Sequence, residues 1–345
     1  MANYMTVCRK ELGDQLGSKR YLMLFAMIVG LAVLSAYQGS TYIRDNSSAS
    51  FISIFSGASS GFSFVTLMVY FGPIIGLALG FDAINKERST GSLSVLLSQP
   101  IFRDSILNGK FLAGVAALAL LGGSTIGIMV GISIPLLGYG PGLADITRII
   151  VFALFTILYL CFWLALSLLF STAIKKTTSS ILAAIATWLV FAFIITIVAS
   201  LVANAVSPVS SPTGFTAITI PGNRTDFGVG GNFTGNMTQF TPPNMNETSG
   251  YMQQEQARSN IESTIQSISP SYLYNQAAST ILGTSSSSSG LGFISGASGS
   301  PFRSLGTTQS ITSCWPQVTA IAVGMVACFV AAYMLFLRRE IRAGG

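Results

Sequence analysis

Six long apolar stretches without internal charge constrain this chain more than any other feature. They cover residues 22–37, 62–81, 111–137, 149–173, 181–206 and 315–337. A helix needs ~20 mostly apolar residues to cross the hydrocarbon core of a bilayer. Each stretch therefore reads as a span, and the chain as an all-α membrane protein with six transmembrane helices. Composition agrees. Half the residues are apolar and only 9% are charged, against ~25% charged in a soluble domain. Six crossings leave both termini on one side.

The basic residues orient the spans. Arg9, Lys10, Lys19, Arg20, Lys86, Arg88, Arg103, Lys110, Lys175, Lys176, Arg338, Arg339 and Arg342 fall on one side, and only Arg44 and Arg148 closely flank spans on the other. The positive-inside rule then places both termini and the 82–110 loop in the cytoplasm of a plasma-membrane protein. Bases outnumber acids 18 to 12, but they lie beside apolar spans rather than in a stripe of their own. Lipid headgroups, not nucleic acid, are their expected partners. Residues 1–20 carry Tyr4, Cys8, Leu12 and Leu16 at i+4, with bases beside them, as in an amphipathic interfacial helix. Glu11 and Asp14 make that region mixed in charge and no small-x-small site follows, so the first span reads as an uncleaved anchor.

The segment 207–313 has a different character, rich in Ser, Thr, Asn and Gly, and is expected to form an extracellular domain. It contains sequons at Asn223, Asn232, Asn236 and Asn246, and a fifth, Asn46, lies in the first external loop. All five fall on the expected outside, as glycosylation sites must. Within the segment 251–268 is helix-compatible, Pro270 interrupts, and 272–282 reads as a second helix bringing Tyr272, Leu273 and Tyr274 near the bilayer. Residues 284–300 read as a flexible linker.

Several chemistries are excluded. Histidine is absent, which removes the usual general base and metal ligand. Gly109-Lys110 is followed by Phe111, and no Gly-x-x-x-x-Gly-Lys-Ser/Thr run exists to cradle a triphosphate, so the chain is not expected to be an enzyme or to hold a cofactor itself. Of the four cysteines, only Cys314 is expected to face an oxidising exterior. No Asp, Glu, Lys or Arg lies inside a span, whereas transporters driven by protons or cations usually keep an ionisable group at mid-membrane. Energy for movement would have to arrive from outside the membrane. Two glycine ladders, Gly72/Gly76/Gly80 and Gly123/Gly127/Gly131, mark faces where helices can approach closely. They suit either packing within one protomer or faces that slide during transport. Pro73 would bend the second span.

The charged interruption at 82–110 carries the strongest functional signal. Asp82 and Lys86 form an i,i+4 pair on a helix leaving the membrane. Gly91 stops that helix, Ser92 caps a short second one bearing Leu93, Leu96 and Leu97 on one face, and Pro100 ends it. Such a segment either lies on headgroups or docks into a groove of a partner. Its residue order is acidic-Arg at Glu87-Arg88, Thr-Gly-Ser-Leu through Gly91 and Leu93, Leu-Leu-Ser-x-Pro from Leu96 and Leu97 to Pro100, then Arg103 and Gly109-Lys110. This order resembles the first cytoplasmic loop of ABC transporter permeases of the type-2 exporter family. The resemblance implies a coupling helix seated in a cleft of an ABC ATP-binding subunit, with the leucines as apolar teeth and Glu87, Arg88 and Arg103 at the rim. It further implies a second permease copy, and ATP with Mg held on the partner. The long insertion before the last span is similar to permeases of sodium-extrusion and copper-site-maturation systems. The sequons would suit an archaeal surface. A non-transporting relay of an ATPase cycle to the external domain, or a scaffold, is the alternative implied.

Overall fold

The computed structural model describes residues 4–46, 49–56, 63–89, 103–207, 218–219, 238–239, 245–283 and 312–338. Among the described residues six helices are long and apolar enough to span a membrane: Lys19–Asp45, Phe64–Glu87, Ser105–Leu137, Leu143–Ala173, Thr177–Val206 and Trp315–Arg338. The chain divides into two compact units. One comprises Met1–Ile194 with Ser267–Gly345, the other Ile195–Gln266.

In the larger unit α1 (Tyr4–Leu16) is followed by α2 (Lys19–Asp45). The expected single helix over 1–20 is broken at Gly17-Ser18. The Ser18 hydroxyl accepts the Tyr21 N–H at 3.2 Å and starts a new helix, so Lys19 and Arg20 belong to α2. That helix outruns the apolar stretch 22–37 by two turns at its far end. Ser40 and Thr41 satisfy their hydroxyls on backbone carbonyls of the preceding turn. Arg44 donates to the Leu136 carbonyl at 2.7 and 3.2 Å, closing the end of the third span.

The single turn α3 (Ser53–Ser56) lies so close to α2 that a Cβ at Gly39 would stand 2.6 Å from the Ile54 Cα. Then come α4 (Phe64–Gly80), α5 (Asn85–Ser89), α6 (Arg103–Leu137) and α7 (Leu143–Ala173). The most enclosed span is α7. Pro73 removes the N–H that would bond the Val69 carbonyl. That carbonyl instead accepts the Tyr159 hydroxyl of α7 at 3.1 Å. Further along, Ser167 donates to the Leu77 carbonyl at 2.8 Å. Along the same face Gly72, Gly76 and Gly80 lie directly against Tyr159, Leu160, Trp163, Leu164 and Ser167.

The fifth span begins with α8 (Thr177–Leu189) and a π-helical turn over Val190–Ile194. Such a turn loosens the regular backbone ladder, and the Phe191 carbonyl accepts the Ser269 hydroxyl at 2.8 Å. Ser269 precedes α11 (Pro270–Leu282), which is packed into the bundle rather than merely near it. Tyr274 is fully buried, stacked on Tyr159 at 4.3 Å between ring centroids, with its hydroxyl 3.0 Å from Thr156. Gly283, at φ +68, ends α11 beside the Arg148 guanidinium. The last span is α12 (Trp315–Arg338). Cys314, expected at the exterior, is buried with Sγ 3.6 Å from the Ala277 carbonyl, and burial pushes its thiol up to about 11.

The smaller unit pairs α9 (Ile195–Val206) with the polar α10 (Met245–Gln266) and includes a two-residue antiparallel pairing of Ile218–Thr219 with Thr238–Gln239. The linker expected over 284–300 lies outside the described residues.

Candidate functional site at the root of the 82–110 loop

The ends of α1, α2, α4, α6 and α7 meet where the chain leaves α4. The helix does not run straight out through Asp82 and Lys86. It ends at Gly80, turns over 81–84, and resumes as α5. Asp82, in the turn, pairs with Arg20, 2.6 Å away on α2, while the Lys86 N–H bonds the Asp82 carbonyl at 2.9 Å. The Arg20 guanidinium also lies 5.5 Å above the Phe81 ring. Small hydroxyls hold the turn from the other side. The Ser171 Oγ of α7 accepts the N–H groups of Ile84 and Asn85 at 3.1 and 3.4 Å, and Ser180 donates to the Phe81 carbonyl at 3.1 Å. Below the turn, Ile84, Leu107, Leu168 and Phe336 form an apolar floor that ties α12 to the same end.

Lys110 is the centre of this root. Its side chain is 5% exposed, with Nζ 2.7 Å from a Glu87 oxygen and 2.9 Å from a Glu11 oxygen. One cation therefore joins α1, α5 and α6. A buried ammonium is tolerable only with charge partners that replace its lost hydration. Asn85 is 1% exposed, and neither its Oδ1 nor its Nδ2 has a hydrogen-bond partner.

The structure thus directs the Glu87 carboxylate inward, to Lys110. Gly91, Leu93, Leu96, Leu97 and Pro100 lie outside the described residues, as do the side chains of Arg88 and Arg103; Arg103 is the first residue of α6. Glu11, Arg20, Asp82, Asn85 and Ser171 complete the root, and no local pattern marks them as partners of one another or of Lys110. Among the described residues no group of three or more His, Cys, Asp or Glu could hold a metal.

The two glycine ladders differ. A Cβ on Gly76 would stand 2.7 Å from the Trp163 Cβ, whereas Gly123, Gly127 and Gly131 have nothing within 4 Å. Of the sequons, Asn46 is exposed just after α2, with its Nδ2 donating to the Tyr42 carbonyl at 3.1 Å. Asn246 begins α10. Asn223, Asn232 and Asn236 lie outside the described residues.

Comparison with known proteins covers nearly the whole chain. The profile of the family described as ABC-2 family transporter protein matches residues 5–341. A probable ABC transporter permease protein NosY of Pseudomonas aeruginosa is 33% identical over 115 residues, covering 33% of this chain and 40% of the relative. Its counterpart in Stutzerimonas stutzeri is 34% identical over 120 residues, covering 35% of this chain and 41% of the relative. The matched stretches thus span about two fifths of those relatives' length. With six apolar spans and a family match running almost from end to end, the chain belongs to the ABC-2 family of transporter proteins.

Proposed function

We propose that this chain is the membrane permease subunit of an ATP-binding-cassette transporter. It works as a pair of identical copies and receives its energy from an ATP-binding subunit docked on the 82–110 loop. ATP and Mg stay on that partner. Both termini and the loop face the cytoplasm across the plasma membrane, α1 lies along the membrane surface, and 207–313 belongs to the outer side, with its α11 packed into the larger unit. The observation that carries this reading is the root itself. Helices α1, α2, α5, α6, α7 and α8 all contribute to fixing one loop entrance by ion pairs and hydroxyl bonds. A loop that only lay on headgroups would need no such anchorage; a loop that transmits force would.

The test acts on the loop, not on the root. Burial of one leucine stabilises an interface by ~1.5–3 kcal/mol, and a carboxylate forced into an apolar cleft adds a desolvation cost on top of that loss. Replacing Leu96 and Leu97 together by Asp should therefore remove the ATP-binding subunit from the purified complex. The permease itself should remain monodisperse, since neither residue belongs to a span. ATPase retained at wild-type stoichiometry would remove the loop as the docking site.

Orientation has its own check. Single cysteines placed at Asn223, Asn232, Asn236 or Asn246 should react with a membrane-impermeant maleimide on intact cells of the host. Reaction only after lysis would reverse the topology beyond the fifth span. Glycan on any of these asparagines would carry the same message, because transfer occurs only outside.

A further inference from the structure

Buried amides almost always find hydrogen-bond partners, yet Asn85 has both ends of its side chain unpaired at 1% exposure. An Asn side chain offers two donors and an acceptor with two lone pairs; here none is used. The arrangement of 81–89 therefore lies above the free energy it would have with that amide satisfied. The kind of contact changes at this point of the chain. Up to Gly80, α4 is held to α7 by direct backbone contact, a Cβ at Gly76 meeting the Leu160 oxygen at 2.8 Å. Past Gly80, Ala83 and Ile84 pack on the apolar floor, and the other contacts that hold the turn and α5 are polar and exchangeable: Arg20 with Asp82, Lys110 with Glu87, and the hydroxyls of Ser171 and Ser180. Hydrogen bonds of that kind can re-pair after a small shift, whereas a glycine-packed interface has no room for one.

We infer that the segment 81–89 has a second resting arrangement in which the Asn85 amide is hydrogen-bonded. Asn85 holds the present arrangement close enough in free energy for the loop root to move between the two. Asn85 touches no transported molecule and is a positioning residue, keeping the entrance to the loop bistable. Unsatisfied buried groups persist where strain serves a switch. A two-state element at the root is what docking at the loop would bias. The inference rests on the docking reading only for its use in coupling.

The test has two arms on the full-length permease. In nanodiscs without the ATP-binding subunit, hydrogen exchange is followed at the amides of 83–87. Leucine shares the forked heavy-atom skeleton of asparagine, though with bulkier ends, and has no polar atom to leave unpaired, so Asn85→Leu should slow exchange there by about tenfold or more, the factor set by ~1.4 kcal/mol. Ser171→Ala removes the hydroxyl that holds Ile84 and Asn85, and should speed exchange at the same amides. Unchanged or faster exchange in Asn85→Leu overturns the inference. So does unchanged exchange in Ser171→Ala, which keeps the test decisive if the leucine variant does not fold. In the second arm the complex is purified from its host. Asn85→Leu should retain the ATP-binding subunit but lose the ATPase stimulation seen with wild-type permease. Slowed exchange with stimulation intact would show that the second arrangement is not used, and overturns the role proposed. A wild-type permease that copurifies with no ATPase would sink the docking reading while leaving the exchange arm standing.

Discussion

Replacing Gly76 by alanine should already cost the six-span fold much of its stability, and replacing it by valine should leave little monodisperse protein to purify. The clash begins at Cβ, which would stand 2.7 Å from the Trp163 Cβ, 2.8 Å from the Leu160 carbonyl oxygen and 3.2 Å from the Leu164 N. Two of those three neighbours are backbone atoms of α7, held in turn by the Tyr159 and Ser167 bonds to α4. They cannot give way as a side-chain tip would. Overpacking a tight core costs ~1–3 kcal/mol and occasionally more, and this site has the geometry of the upper end. Gly127→Ala is the control, because Gly127 has open space around it. It should leave the thermal unfolding of a single protomer unchanged. The measurement is thermal unfolding with size-exclusion profiles for both variants in one detergent. Equal behaviour of Gly76→Ala and Gly127→Ala would mean that α4 and α7 are not packed this closely.

That contrast marks a limit of sequence reading. Gly72, Gly76 and Gly80 repeat at the same four-residue spacing as Gly123, Gly127 and Gly131. Spacing shows that a face is small, not what lies opposite it. Spans were legible because ~20 apolar residues have few alternatives to crossing a bilayer. Their ends were less so. Lys19–Asp45 continues past Tyr37 because Ser40 and Thr41 bond to their own helix and Arg44 finds the Leu136 carbonyl, interactions that hydropathy does not register. The helix out of the second span breaks at Gly80 although Asp82 and Lys86 have favourable i,i+4 order. A surface pair of that kind is worth only ~0.2–0.5 kcal/mol, too little to oppose the pull of Arg20 and Ser171 on the turn. Polar pairs far apart in sequence were the least legible. Glu11 and Glu87 lie 76 residues apart, and nothing local marks both for Lys110.

Lys110 should therefore be the most sensitive charged residue outside the loop itself. Its removal, as Lys110→Met, would keep the stem volume but leave the Glu11 and Glu87 carboxylates, 18% and 16% exposed, facing each other without a cation. Removing one partner of a buried ionic cluster typically costs ~3–5 kcal/mol, because a desolvated charge remains uncompensated. We expect a large fall in unfolding temperature and loosening of α1 and α5, seen as faster hydrogen exchange in 4–16 and 83–89. One further result separates charge from packing. Adding Glu11→Gln and Glu87→Gln to Lys110→Met restores neutrality and should recover most of the stability. If the triple variant is no more stable than Lys110→Met, the lysine acts through its packing, and the ion triad does not hold the root together.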